Sequence, residues 1–160
     1  MTSDSAPRLV RLTLTDFRNY AGLRLETEAR RIALAGANGA GKTNILEAIS
    51  LLAPGRGLRG AAYEELARQD GAGAWAIAAE IEGPAGTARL GTGWTRQGEG
   101  EENLGAGRIV LVDGHVQKSS GVLGQHLRIL WLTPAMDRVF AGPAGERRRL
   151  LDRLAAVFDP

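Results

Sequence analysis

The amino-acid sequence predicts an α/β fold with mixed and antiparallel sheets, arranged around one strand–loop–helix unit. Three observations lead there. The eight residues Gly36-Ala37-Asn38-Gly39-Ala40-Gly41-Lys42-Thr43 fit Gly-x-x-x-x-Gly-Lys-[Ser/Thr] without a mismatch. They are preceded by the strand-like run Arg31–Ala35 and followed by Ile45, Ile49 and Leu52, spaced along one face of a helix. Around this unit, alternating apolar and polar stretches are joined by turn residues, which is the pattern of hairpins.

Taken in order, Leu9–Leu14 and Leu23–Thr27 alternate as half-buried strands, with Arg18–Gly22 turning between them. Arg31–Ala35 is expected as a short buried strand, and Asn44–Leu52 as the helix after the glycine-rich loop. Pro54-Gly55-Arg56-Gly57 ends that helix and opens a loop carrying Arg56 and Arg59; Tyr63–Ala67 predicts a short helix. A second hairpin is expected from Ala74–Ile81 and Thr87–Trp94 around Gly83-Pro84-Ala85-Gly86. Arg96–Gly107, rich in Gly and Glu, reads as a mobile loop. Arg108–Val112 and His115–Lys118 form a third hairpin around Asp113-Gly114, a favoured two-residue turn. Leu127–Leu132 predicts a last buried strand, Pro134 a helix start, and Pro143–Phe158 a terminal helix. Trp75, Trp94 and Trp131 fall in strand candidates and are expected to pack in or on the sheets.

The glycine-rich loop carries the chemistry. Gly36, Gly39 and Gly41 let the backbone curl so that successive N–H groups point inward, where a Cβ would obstruct, and the following helix adds its N-terminal partial positive charge. Ala37, Asn38 and Ala40 contribute backbone to the same cradle. Lys42 can reach the β- and γ-phosphates of a nucleoside triphosphate, and the Thr43 hydroxyl can join a Mg²⁺ bridging them. ATP and Mg²⁺ are the expected ligands.

Composition sets outer bounds. The 160 residues suffice for one domain, and 44% hydrophobic with 24% charged is ordinary for a globular protein. With no cysteine, disulfides and thiolate metal sites are excluded, and neither a signal-like start nor a membrane-length apolar run occurs. The expectation is a cytoplasmic protein with no membrane partner. A net charge of +2 gives little indication of a polyanionic partner.

Two sequences imitate the missing half of a hydrolytic site. Ile109–Asp113 has the form of an apolar strand ending in a metal-binding acid, but Gly114 and a further alternating run make Asp113 a hairpin residue. Ser119–Gln125 resembles a γ-phosphate signature only loosely and reads as a helix start. A phosphate cradle without metal-positioning acid and water-orienting base is expected to bind ATP and hardly hydrolyse it.

Leu12–Tyr20, with its Phe17-Arg18-Asn19-Tyr20, then Gly36–Ile49, then Leu127-Arg128-Ile129 and Glu146–Arg153 together resemble the RecF family of bacterial DNA replication and repair proteins, over nearly the whole chain. The resemblance implies a P-loop NTPase of the ABC-ATPase type, an incomplete N-terminal part of a head like those of SMC and Rad50 proteins. The signature motif, the acidic strand and the arm lobe would lie in the remainder. It implies binding of ATP, Mg²⁺ and single-stranded or gapped double-stranded DNA, weak DNA-dependent ATP hydrolysis, ATP-controlled homodimerisation, and action with RecO and RecR in recombinational repair and the SOS response. Lys42 and Thr43 carry over as phosphate and Mg²⁺ ligands, and Arg18 and Asn19 as residues near the phosphates. At Pro134-Ala135-Met136-Asp137 the chain departs from the acid many members carry after that proline, and no role is carried over there.

Two other readings stand beside this one. The phosphate loop alone also suits a small-molecule kinase, which the antiparallel hairpins oppose, and the length suits a non-catalytic nucleotide-responsive interaction module. DNA contacts are open: Arg147, Arg148, Arg149 and Arg153, or Arg56 and Arg59, could meet phosphates, but three consecutive arginines spread around a helix whose buried side is Leu150, Leu151 and Leu154. His115 and His126 lack metal-ligand spacing and read as structural residues.

Overall fold

A computed structural model of the chain describes residues 6–95, 107–134, 136 and 144–158. The expectations for residues 96–106, Ala135, Asp137 and Pro143, and for the side chains of Glu146, Arg149 and Arg153, lie outside the described residues. The chain divides into two compact units, Met1–Leu127 and Arg128–Pro160.

The first unit is organised by one six-stranded antiparallel sheet in the order β2-β1-β3-β4-β5-β6. Its strands are β1 (Arg8–Phe17), β2 (Tyr20–Glu26), β3 (Trp75–Gly83), β4 (Gly86–Trp94), β5 (Arg108–Val112) and β6 (His115–Val116). Three of the sheet's junctions are the hairpins expected from turn chemistry. Gly83 pairs with Gly86 around Pro84-Ala85, and Val112 pairs with His115 around Asp113 (φ 49°) and Gly114 (φ 83°), the two positive φ values that a tight hairpin turn requires. Asp113 Oδ1 accepts the N–H of Arg89 at 2.8 Å, so this carboxylate pins the hairpin to β4.

Alternation puts one face inside. Leu12 lies opposite Ala79, Ala79 opposite Leu90 and Leu90 opposite Val112, while Leu14, Ile77, Thr92 and Val110 form the next row. All eight are buried. They share the core with Ile45, Ala48, Leu51 and Leu52 of helix α1 (Lys42–Ser50) and its end, and with Leu66 from a 3₁₀ turn at Tyr63–Leu66 and Leu123 from the short α2 (Leu123–His126). Each large aliphatic or aromatic side chain buried in this way contributes about 1.5–3 kcal/mol. Trp75 is in that core, edge-on to Phe17 with centroids 5.7 Å apart and its Nε1–H on Tyr63 O at 2.7 Å. The opposite face, with Thr13, Ala76, Ala78, Gly91 and Leu111, forms an open trough of about 910 Å³.

Two strand expectations fail. Arg31–Ala35 runs without strand pairing and leaves Ile32 54% exposed. Leu127–Leu132 likewise forms no strand, with Leu132 76% exposed. An apolar run becomes a strand only when a neighbouring strand takes its N–H and C=O groups, and no strand pairing involves either run among the described residues. The described strands all belong to the one antiparallel sheet.

In the second unit, α3 (Ala144–Phe158) matches the terminal helix expected. Leu151, expected on its buried side, is 63% exposed, whereas Leu150 and Leu154 are half-buried. No helix among the described residues is long and apolar enough to cross a membrane.

Candidate nucleotide site

The glycine-rich loop sits at the N-terminus of α1, as its spacing requires. Gly41 is the N-cap, and Asn44 and Ile45 both donate their N–H to Gly41 O, at 2.8 and 3.1 Å. Ala40 N donates to Ala37 O at 3.2 Å, closing the loop's turn. Gly39 (φ 84°) and Gly41 (φ 96°) hold backbone conformations that a side chain disfavours. At Gly41 a Cβ would also lie 2.5 Å from Tyr20 Oη and 2.7 Å from Asn19 Nδ2, so these side-chain ends would have to move. The β1–β2 turn is thus the wall against which the loop is moulded. Tyr20 Oη donates to Ala40 O across the same contact.

Lys42 folds back over the loop and donates to Gly36 O and Ala37 O, both at 2.7 Å. An ammonium has three N–H groups, so two fix its position and one is left to point at an anion. Thr43 is exposed on the first turn of α1, and Gly36 to Ala40 are exposed as well. The helix has no acidic residue in its first turn, leaving its N-terminal partial charge uncompensated there. Among the described residues no three His, Cys, Asp or Glu are grouped to hold a metal.

Of the two residues taken from the Phe-Arg-Asn position, Asn19 lies against the loop, and Arg18 points elsewhere. Arg18 stands at φ 55° in the turn, and its N–H on Leu66 O fixes that strained backbone. Its guanidinium grips Glu47 through Nε to Oε2 and Nη2 to Oε1, both at 2.8 Å, and donates through Nη1 to Glu65 O. Arg59 also donates to Glu47 Oε2 at 2.8 Å and to Asn44 Oδ1 at 3.0 Å, and Asn44 Nδ2 donates to Asn19 Oδ1 at 2.8 Å. Arg18, Asn19, Asn44, Arg59 and Arg68 line a polar cleft of about 510 Å³.

Glu47 and Asn44 were not singled out in the sequence, although a signal existed. Glu47 interrupts the apolar face of α1 between Ile45 and Ala48, and an acid in such a place requires a cationic partner. Arg108 gave no local signal. It leaves β5 to donate to Leu51 O, Ala53 O and Gly55 O at the end of α1, and to Thr92 Oγ1. Burial pushes its pKa below the usual arginine value, an effect the neighbouring Tyr63 opposes.

The chain is similar to known proteins along nearly all of its length. It is 51% identical over 150 residues to the DNA replication and repair protein RecF of Mesorhizobium japonicum, which covers 94% of this chain and 38% of that protein. To RecF of Rhizobium meliloti it is 47% identical over 152 residues, covering 95% and 39%. The chain thus spans about two-fifths of the length of the curated relatives it matches. Among solved structures, the recombination mediator protein RecF with ATP, of the RecFOR pathway, superposes with a TM-score of 0.77 at 26% identity over 96% of this chain and 39% of that one. RecF with ATPrS gives 0.79 at 24% identity over 99% and 41%, and the SMC head domain from Thermotoga maritima 0.50 at 23% over 69% and 39%. No family model matches the chain. The fold is that of the P-loop ATPase heads of RecF and SMC proteins, here with an open antiparallel sheet.

Proposed function

We propose that this chain, alike to RecF proteins along 95% of its length, carries the ATP-binding part of a RecF-type DNA replication and repair protein. The observation that carries the reading is the loop Gly36–Thr43 at the head of α1, with Lys42 held by two carbonyls over an open cradle. A glycine-rich backbone, a helix N-terminus and one fixed ammonium together suit the phosphates of a nucleotide. Thr43 would complete the site as a Mg²⁺ ligand. A hard cation that keeps most of its waters needs only one such oxygen beside those of the phosphates, so the exposed hydroxyl at the first turn of α1 fits. The metal, when bound, offsets charge between the β- and γ-phosphates. Asn19 acts as part of the cradle wall. Arg18, engaged by Glu47, contributes its positive field to the phosphates and no direct contact in this arrangement.

The wider role follows the relatives. In the longer protein, ATP would control pairing of two heads on single-stranded or gapped double-stranded DNA, with RecO and RecR as partners. The names of the relatives support DNA replication and repair, and RecF with ATP as a structural neighbour supports the nucleotide. Calorimetry with ATP and Mg²⁺ tests the core of the reading. Saturable binding is expected, and Lys42→Ala should weaken it at least about tenfold, since one charge-assisted contact to a phosphate is worth about 1.5–3 kcal/mol. Equal affinity in the two proteins would refute it.

A further inference from the structure

Glu47 is 2% exposed in side chain, yet it neutralises only half of what surrounds it. Three N–H bonds from two guanidinia converge on its two oxygens, so Glu47, Arg18 and Arg59 together keep one positive charge. Arg18 and Arg59 are 21% and 42% exposed and open onto the polar cleft. The contacts also close a ring. Glu47 holds Arg18; Arg18 is followed by Asn19, which accepts from Asn44; Asn44 accepts from Arg59, and Arg59 returns to Glu47. Three segments are joined by it: the β1–β2 turn, α1, and the loop after α1. That loop is fixed at its start too, because Ser50 Oγ donates to Glu47 O and accepts the N–H of Leu58.

The turn in this ring is the one that walls Gly41 with Tyr20 and Asn19. We propose that Glu47 is a positioning residue of the nucleotide site: through Arg18 it keeps the turn seated against the phosphate loop, and through Arg59 it couples the loop after α1 to the same seat. A bidentate guanidinium–carboxylate pair fixes orientation as well as distance, which a single neutral hydrogen bond would not. The inference rests on the nucleotide reading of Gly36–Thr43.

The test is a double-mutant cycle in the full 160-residue chain, read as ATP affinity by calorimetry with thermal melting alongside. Glu47→Gln and Arg18→Gln are each expected to weaken ATP binding about tenfold in protein that still melts cooperatively, and the double variant no more than Glu47→Gln alone, because that change already removes the Arg18 contact. A plain structural ion pair would lower the melting temperature and leave ATP affinity of the folded protein unchanged. That result, or losses that multiply in the double variant, overturns the proposal. Should Glu47→Gln not fold, Arg59→Gln decides, since its side chain is the more exposed one: weakened ATP binding supports the ring and unchanged binding overturns it. Lys42→Ala runs in parallel. If the unaltered chain binds no ATP, the nucleotide reading fails; if it binds and only Lys42→Ala weakens it, Glu47 alone has been misassigned.

Discussion

Gly41 and Glu47 impose opposite demands at the residue scale. Gly41 must have no side chain, for two separable reasons: its φ of 96° and the atoms of Tyr20 and Asn19 where a Cβ would go. Gly39 has the first reason only, since at φ 84° its Cβ would meet nothing within 4 Å. Gly39→Ala is therefore expected to cost about 1–2 kcal/mol for left-handed backbone. Gly41→Ala should cost more and displace the β1–β2 turn, so that urea unfolding ranks the two and ATP affinity falls further for Gly41→Ala. Equal losses would show that the wall formed by Tyr20 and Asn19 yields freely. Glu47 has the contrary requirement, a charged side chain where the helix pattern calls for an apolar one. Burial makes that charge tolerable only because two guanidinia meet it.

Among elements, the two ends of α1 differ. Its N-terminus is left open toward the phosphate loop, whereas Arg108 brings a cation to the carbonyls of Leu51, Ala53 and Gly55 beyond its C-terminus. Arg108→Met keeps the apolar stem and removes the donors, leaving carbonyls without partners. The expected cost is about 2–4 kcal/mol by urea unfolding. A loss below about 0.5 kcal/mol would mean that water replaces the guanidinium. The β1–β2 hairpin offers a pH test. Hydrogen bonds from Arg24 and then Arg11, with the charges of both, hold the Glu26 carboxyl below its usual pKa. A group depressed in the folded state contributes stability above its unfolded pKa, and that contribution fades as pH falls through the lower folded value. Carboxyl NMR should show Glu26 titrating below an ordinary glutamate in this chain and returning toward it in Arg24→Ala. Because Glu26 is exposed, the accompanying change in stability should be small.

For the whole molecule, the proposed phosphate cradle is expected to bind nucleotide and hardly to hydrolyse it. Asp113, the acid most like a metal-binding one in sequence, spends its carboxylate on the N–H of Arg89 in a hairpin turn. With Asp113 engaged in its hairpin, phosphate release by this chain is expected to run at least about a hundredfold below that of a full-length RecF protein, the usual contribution of one general acid or base. Turnover at a comparable rate would require a catalytic acid within this chain. The open runs Arg31–Ala35 and Leu127–Leu132 belong to the same scale, for they have strand composition without strand partners among the described residues.

The glycine-rich loop, α1, the three hairpins and α3 were legible in the residues because each rests on local chemistry: glycine at positive φ, turn pairs such as Asp113-Gly114, and periodicities of two or 3.6 residues. Asn19, expected near the phosphates through its motif, has its side chain against Gly41. That Arg18 turns to Glu47, that Arg59 joins it, that Arg108 crosses from β5 to the end of α1, and that two apolar runs form no strand among the described residues follows from tertiary contacts alone. Ion pairs between residues 29 positions apart, and the pairing of one strand with another, depend on which segments meet in space, and no local pattern carries that information.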